Sequence, residues 1–253
     1  MIALLGAALV VAVAVLVRQR TQARTLSAQL EAAALELQRL QQSCARFAPA
    51  YVIDRIATDG IESSAERKEI TALFADIVGY TSLSERLDAP VLAKLLNGYY
   101  QRMSDAISAH RGHVSTFLGD GILAYFGAFE PNPWQSDDAL KAALAMRRAL
   151  DDYNRELEAD QLPRLAIGIG LHRGMVLAGL VGSRERTEYA CVGRTVNVAA
   201  RVQALTREHS VDVLLTEEVR ARLDPSFRLR PLPATPVKGI AEPVVTWTVR
   251  DST

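Results

Sequence analysis

The sequence predicts an α+β fold: a ferredoxin-like βαββαβ core with a C-terminal elaboration, preceded by a transmembrane helix and a coiled coil. After residue 68, strand-like and helix-like apolar patterns alternate in that order, and a Gly-Asp-Gly turn joins the two middle strands. A charge-free apolar run and a heptad-patterned segment precede them. The 29 basic and 29 acidic side chains cancel, which argues against a nucleic-acid partner, and two cysteines are too few for a disulfide framework.

The N-terminal run, residues 1–17, contains no charged side chain, and Arg18 and Arg20 follow it at once. Such a run has about the minimum length that spans a bilayer, and the positive-inside rule places the residues after it in the cytosol. We therefore expect a single-pass anchor in the cell (inner) membrane, with the globular domain that follows it in the cytoplasm. A cleaved signal peptide is the alternative, although the run lacks the basic segment with which such peptides begin.

The next segment, residues 18–47, repeats apolar side chains at intervals of three and four without Gly or Pro. This a/d pattern is typical of a parallel two-stranded coiled coil, and an amphipathic helix packed on its own domain is the alternative. Pro49 ends the helix. Residues 48–67 then form a polar linker to a globular domain at 68–250. The apolar positions are Ala23, Leu26, Leu30, Ala33, Leu37, Leu40, Cys44 and Phe47.

The first half of the globular domain contains three predicted strands and a helix. Residues 70–77 are almost continuously apolar, which predicts a central buried strand. Residues 89–110 have helical periodicity. Residues 113–118 and 122–126 flank a Gly-Asp-Gly triplet and therefore predict a β-hairpin.

The second half completes the core and extends it. Ser136 is a candidate cap for a helix that reaches about Leu157. Residues 165–171 alternate in polarity and predict a strand. An elaborated arm over 176–192 and a helix over 195–206 follow.

Two aspartates are the candidate metal ligands. Asp76 lies at the end of the first strand and Asp120 at the tip of the hairpin. In the ferredoxin-like topology the strand after that tip runs antiparallel beside the first strand, so the two carboxylates converge. Such a pair suits Mg²⁺ or Mn²⁺, which prefer oxygen ligands and complete their shells with substrate phosphates. The alternative is that Asp120 is an ordinary turn residue.

A candidate phosphate-binding turn follows Asp76, at Gly79, Tyr80 and Thr81. Gly79 permits close backbone approach, and Thr81 or Ser82 is a candidate cap for the helix after it. Free N–H groups at such a turn bind phosphates.

Asn197 and Arg201 are four residues apart and therefore share one face of a predicted helix. A guanidinium offers a fixed fork of donors to phosphate oxygens and stabilises charge that develops in phosphoryl transfer. A surface arginine beside a solvated asparagine is the alternative.

Taken together, these segments resemble the signature blocks of class III adenylyl and guanylyl cyclases. The blocks are residues 74–81, 117–121 and 193–201, which read Phe-Ala-Asp-Ile-Val-Gly-Tyr-Thr, Phe-Leu-Gly-Asp-Gly and Gly-Arg-Thr-Val-Asn-Val-Ala-Ala-Arg. Residues 237–244 resemble the C-terminal block of the family. The resemblance extends from about Lys68 to Val249, with the blocks in the order and spacing of the family.

The resemblance implies a homodimeric enzyme that closes a nucleoside triphosphate into a 3′,5′-cyclic nucleotide and releases pyrophosphate. Asp76 and Asp120 would hold two Mg²⁺ or Mn²⁺ ions, with the Ile77 carbonyl as a further ligand. Asn197 and Arg201 would act on the ribose and on the transition state.

In this family the two aspartates of one protomer face the Asn and Arg of the other, so a homodimer carries two sites. Lys238 would contact the terminal phosphates. The coiled coil would help to pair the protomers.

The sequence departs from the family at the positions that read the base. A Lys four residues before the second metal-binding Asp is usual in adenylyl cyclases, and Thr116 stands there. Ala190 replaces the usual Asp or Thr, and Arg194 replaces a common Asp or Asn. A pocket without its polar pair discriminates weakly. ATP is the first expectation, and GTP or a pyrimidine triphosphate is the alternative.

Other functions fit the sequence less well. A non-catalytic nucleotide-binding or dimerisation module would not need all four of Asp76, Asp120, Asn197 and Arg201. An RNA-binding sheet would show an aromatic RNP1-like tract on a basic face, and the sequence has none. A diguanylate cyclase would carry a Gly-Gly-Asp/Glu-Glu-Phe hairpin, which is also absent from the sequence.

Overall fold

The computed structural model describes residues 18–22, 24–39, 65–183, 187–236 and 243–250. These residues belong to two units, 1–60 and 61–253. In the first unit, residues 18–22 and 24–39 are α-helical, as predicted, and Leu26, Leu30 and Leu37 are exposed. The apolar run 1–17 and most of the predicted linker lie outside the described residues. Among the described helices, none is both long and apolar enough to cross a membrane.

The second unit has the predicted β-α-β-β-α-β order, followed by further strands and helices. Its elements are β1 (Glu66–Ile77), α1 (Tyr80–Arg86), α2 (Ala89–Ser108), β2 (His113–Leu118), β3 (Gly121–Phe126), α3 (Gln135–Ala159), β4 (Ile167–Gly182), β5 (Thr187–Val192), α4 (Arg194–His209), β6 (Val213–Thr216), α5 (Glu217–Arg220), β7 (Leu229–Pro231) and β8 (Thr246–Val249).

One sheet connects all the described strands, in the order β2-β3-β1-β4-β6-β8-β7, with β5 paired to β4. Strand β1 lies in the centre and runs antiparallel to both β3 and β4. The segment β2-β3-β1-β4 has the strand order of the ferredoxin-like core, so the predicted α+β core is confirmed. Strand β4 stays paired with β1 as far as Ala178, and its last residues, from Leu177 to Gly182, form a hairpin with β5, which is the predicted arm.

The two faces of β1 have different tasks because successive side chains on a strand point to opposite sides. Leu73, Ala75 and Ile77 are buried in the main core with side chains of α2 and α3. Burial of a Leu or Ile side chain, such as Leu73 or Ile77, stabilises the fold by about 1.5–3 kcal/mol. Asp76 therefore points to the opposite face of the sheet, over which α4 lies.

Two alternate glycines of β4 let α4 approach the sheet closely. A Cβ added to Gly170 would lie 2.3 Å from the Gln203 backbone nitrogen and 2.4 Å from the Ala199 carbonyl oxygen. A Cβ added to Gly168 would meet the Thr206 hydroxyl. Since backbone atoms cannot yield like the end of a side chain, the Gly-Ile-Gly sequence fixes where α4 crosses the strands.

Two predicted helix caps are wrong. Ser136 lies inside α3, where its hydroxyl accepts a hydrogen bond from Arg173 at 3.1 Å, and the N-cap is Trp134. Two acidic side chains in the first turn of α3 complement the helix dipole instead. Likewise, Thr81 and Ser82 lie within α1, whose N-cap is Gly79.

Candidate active site

The register of the central strands places the acidic pair. Ala75 of β1 lies opposite Ile122 of β3, so Asp76 comes next to the turn that links β2 to β3. Gly119 has a φ of +64°. Asp120 is not among the three described non-glycine residues with a positive φ, so its own φ is negative. This combination matches a type II′ hairpin turn, which takes Gly at its first central position. The structure thus brings Asp76 and Asp120 together, as the topology predicts.

The pair carries concentrated negative charge. Burial, a shared hydrogen bond with Asp120 and the charge of Asp120 together raise the pKa of Asp76 from its ordinary 3.8 to about 6. The Arg207 guanidinium opposes this rise and lies 3.2 Å from an Asp76 carboxylate oxygen. Arg207 is 53% exposed and Asp76 is 25% exposed, so water screens their interaction. The acidic pair therefore favours the binding of a further cation.

These residues fit a Mg²⁺ or Mn²⁺ site better than a zinc site. Within the described ranges, no group of three or more His, Cys, Asp or Glu side chains could hold an ion by itself. The two carboxylates supply only oxygen ligands. The backbone carbonyl of Ile77, which follows Asp76 on β1, is a third candidate oxygen ligand. Mg²⁺ and Mn²⁺ accept such a partial set because water and substrate phosphates complete the shell.

The candidate phosphate turn lies at the same end of the sheet, directly after β1. Gly79 adopts a φ of +75°, in the left-handed region that favours glycine. Its carbonyl accepts a hydrogen bond from the Leu83 N–H at 3.2 Å, which begins α1. The N–H groups of Tyr80 and Thr81 fall in the first helical turn and have no acceptor within the helix. They are the donors that the sequence predicts for phosphate.

Asn197 and Arg201 share a face of α4 but lie away from the acidic pair. Asn197 is exposed, Arg201 is half-buried, and neither bonds to Asp76 or Asp120 among the described contacts. Arg207 marks the end of α4 that reaches Asp76. At 1.5 Å per residue, Arg201 lies about 9 Å and Asn197 about 15 Å back along the helix axis. One chain alone therefore does not assemble all four predicted residues.

The base-reading positions lie on strands. Thr116 is half-buried in β2, just after an irregularity in the pairing of β2 with β3, and pairs with Leu123. Ala190 lies in β5 opposite Gly179. Lys238 lies outside the described residues.

Two further side chains contact this site, and sequence reasoning missed both. Arg207 was missed because only the crossing of α4 over the strands reveals that it reaches Asp76. Tyr100 of α2 donates a hydrogen bond to the Gly119 carbonyl, beside Asp120. Helical periodicity places Tyr100 on a helix but gives no sign of which backbone group its hydroxyl meets.

A ferredoxin-like core with two carboxylates at the end of its central strands, next to a candidate phosphate-binding turn, defines a domain of the nucleotidyl cyclase class. Residues 62–251 match the family described as "Adenylate and Guanylate cyclase catalytic domain", and the chain belongs to this family.

Similar proteins include both kinds of cyclase. The chain is 36% identical over 91% of its length to an adenylate cyclase of Anabaena cylindrica, and 32% identical over 75% to adenylate cyclase 1 of Rhizobium meliloti. It covers 47% and 29% of those relatives. The crystal structure of the adenylyl cyclase CyaB from P. aeruginosa matches 76% of this chain and 98% of its own, at 28% identity and a TM-score of 0.70. The guanylyl cyclase Cya2 matches 74% and 94%, at 31% identity and a TM-score of 0.67.

Proposed function

We propose that the chain is a metal-dependent nucleotidyl cyclase that converts a nucleoside triphosphate, in the first place ATP, to the 3′,5′-cyclic nucleotide and pyrophosphate. The observation that carries this proposal is the convergence of Asp76 and Asp120 beside the phosphate turn. Family membership and the identity to two adenylate cyclases support it.

Asp76 and Asp120, with the Ile77 carbonyl, are the residues that would hold two Mg²⁺ or Mn²⁺ ions. Bound there, the ions would supply positive charge to the phosphate oxygens and to the attacking and leaving oxygens. The contribution of the chain is to aim both carboxylates at one point and to present the Gly79–Thr81 turn to the same phosphates. The raised pKa of Asp76 supports this role, because the pair gains when a cation replaces a proton.

In the proposed reaction, the ribose 3′-oxygen forms a bond to the α-phosphorus and gives up its proton to a water molecule. The bond from the α-phosphorus to the bridging oxygen breaks, and pyrophosphate leaves with that electron pair. Asn197 would orient the ribose, Arg201 would stabilise charge on the transferred phosphoryl group, and Lys238 would contact the terminal phosphates. Positioning and charge stabilisation supply most of the catalysis in such reactions.

We infer that a second copy of the chain completes each site. Asn197 and Arg201 lie away from the acidic pair of their own chain, so another chain has to lend them. An exposed apolar face on the β4–β5 hairpin supports such pairing. Met175, Leu177 and Val192 are 56%, 44% and 51% exposed, and Leu177 lies directly opposite Val192. Contiguous exposed apolar side chains mark interaction surfaces.

The N-terminal segments would localise and pair the catalytic domains, with residues 1–17 as an inner-membrane anchor and 18–47 as the coiled coil. Deleting residues 1–47 should raise the protein concentration needed for half-maximal specific activity. Equal concentration dependence in the full and shortened chains would contradict the pairing role. Protease protection in membrane vesicles would test the anchor and the cytoplasmic side of the catalytic domain.

The choice of base depends on Thr116 and Ala190, which offer no Lys–Asp pair to adenine. This supports weak discrimination among nucleoside triphosphates, with ATP first and GTP or a pyrimidine triphosphate as alternatives. Product analysis of the purified chain with ATP, GTP, CTP and UTP in Mn²⁺ tests the proposal, and no cyclic product from any of them would contradict it. The double variant Thr116→Lys/Ala190→Asp should raise the ATP-to-GTP preference by at least about tenfold.

A further inference from the structure

Tyr100 holds the turn that carries Asp120. Its hydroxyl donates a hydrogen bond to the backbone carbonyl of Gly119. Its ring packs on Phe117 of β2, with the two ring centroids 4.3 Å apart. One side chain of α2 therefore contacts both the strand that leads into the turn and the turn itself.

The carbonyl that Tyr100 holds belongs to the central peptide of the two-residue turn. A flip of this peptide interconverts the type II′ and type I′ turns. The type II′ form gives the second central residue a negative φ, as Asp120 has here, and the type I′ form gives it a positive φ. The flip would redirect the Cα–Cβ bond of Asp120 and carry its carboxylate away from its present direction.

The turn sequence alone does not exclude the flipped form. Glycine at position 119 adopts either conformation, and aspartate tolerates positive φ better than most residues. Two carboxylates that lie side by side repel each other, so repulsion favours any change that separates them. A hydrogen bond to the Gly119 carbonyl opposes that change.

We propose that Tyr100 is a positioning residue of the metal site, whose hydroxyl keeps the Gly119–Asp120 peptide in the form that aims Asp120 at Asp76. The inference rests on the proposed function, since it assigns Tyr100 a task only if the two carboxylates bind metal. The hydrogen bond is exposed to solvent. Loss of this hydrogen bond therefore changes the free energy of unfolding little, and its main effect is on the conformation of the Gly119–Asp120 turn.

The test is Mn²⁺ binding to the full chain without nucleotide, measured from the electron paramagnetic resonance signal of the free ion. Tyr100→Phe keeps the ring on Phe117 and removes only the hydroxyl. We expect Mn²⁺ to bind this variant about 3- to 10-fold more weakly than the wild type. At saturating Mn²⁺, kcat should return to within about twofold of the wild-type value, because the ion then selects the competent turn.

Tyr153→Phe is the matched control. The Tyr153 hydroxyl also donates to a backbone carbonyl on α2, that of Leu95 at 2.9 Å, but it is buried and away from the turn. This variant should lower Tm and leave the Mn²⁺ affinity unchanged. Wild-type affinity in Tyr100→Phe, or an equal loss in both variants, overturns the inference. A wild-type chain that binds Mn²⁺ no better than Asp76→Asn overturns the metal site itself, which separates that failure from the failure of Tyr100.

Discussion

The two halves of helix α4 behave differently. Its C-terminal half brings Arg207 to within 3.2 Å of Asp76 in the same chain. Its N-terminal half presents Asn197 and Arg201, which have no bond to the acidic pair of that chain. If the site is shared as proposed, one rigid helix, set against β4 by glycines, serves its own carboxylates at one end and those of a second copy at the other.

The largest expected effect is the loss of either carboxylate. Asp120→Ala or Asp76→Ala should reduce cyclic-nucleotide formation about 10³-fold or more, since the remaining carboxylate cannot hold the ions alone. Circular dichroism should show that the fold survives. Asp152→Ala is a suitable control, because Asp152 is an exposed carboxylate that pairs only with Arg155 among the described ion pairs. Substantial turnover in Asp120→Ala would contradict the assigned role.

Arg201→Ala should lower kcat by roughly 10²- to 10³-fold while changing KM much less, because the guanidinium acts mainly on the transition state. Steady-state kinetics with Mn²⁺ and ATP would measure both constants. A large rise in KM with unchanged kcat would instead assign Arg201 to ground-state binding.

Mixing two inactive variants distinguishes a site shared between two chains from a site that lies within a single chain. If the site is shared, Asp76→Ala and Arg201→Ala chains together form hybrid dimers with one intact site. Equal mixing should then recover about a quarter of wild-type activity, from half of the dimers with one of two sites each. A mixture that is as inactive as either variant alone would contradict the hypothesis of a shared site.

Gly170→Ala tests how tightly α4 is fixed to β4. The added Cβ would lie 2.3 Å from the Gln203 nitrogen, so the helix has to shift. We expect a loss of about 1–3 kcal/mol in the free energy of unfolding, measured by urea denaturation, and reduced turnover because both halves of α4 move. Unchanged stability would show that the crossing is more compliant than the contact distances imply.

The smallest effect concerns pH. Because the folded pKa of Asp76 is about 6, Mn²⁺ affinity should fall as pH drops through 6 and a proton competes for the carboxylate. Without metal the sign is opposite for stability: the raised pKa makes the fold less stable as pH rises from about 4 to above 6. Arg207→Gln should shift the midpoint of Mn²⁺ binding upward by a fraction of a pH unit, less at high salt.

Much of the fold followed from apolar periodicity. The almost continuous apolar run 70–77 predicted a central strand, and the Gly-Asp-Gly triplet predicted the hairpin beside it. The ferredoxin-like topology then implied that Asp76 and Asp120 lie close together. Short elements with strong local signals were therefore predictable.

The rest depends on contacts that local sequence does not encode. Serine is a common helix-capping residue, yet the Ser136 hydroxyl is buried within the fold, where it accepts a hydrogen bond from Arg173. Strand β4 runs to Gly182, far past the predicted end at residue 171, because β1 pairs with it as far as Ala178 and β5 pairs with it from Leu177 onward. The contacts of Arg207 and Tyr100 likewise require knowing which elements cross.

Strand β4 has a consequence for how this domain tolerates insertions and deletions. It is one uninterrupted 16-residue strand that belongs to the core at one end and to the arm at the other. Removing a single residue near Arg173 would turn every later side chain over, burying polar groups of the arm and exposing its interior. Insertions or deletions there should be tolerated only when two residues are added or removed together. Single insertions or deletions should be tolerated only at the hairpin tip, where the strand has already ended.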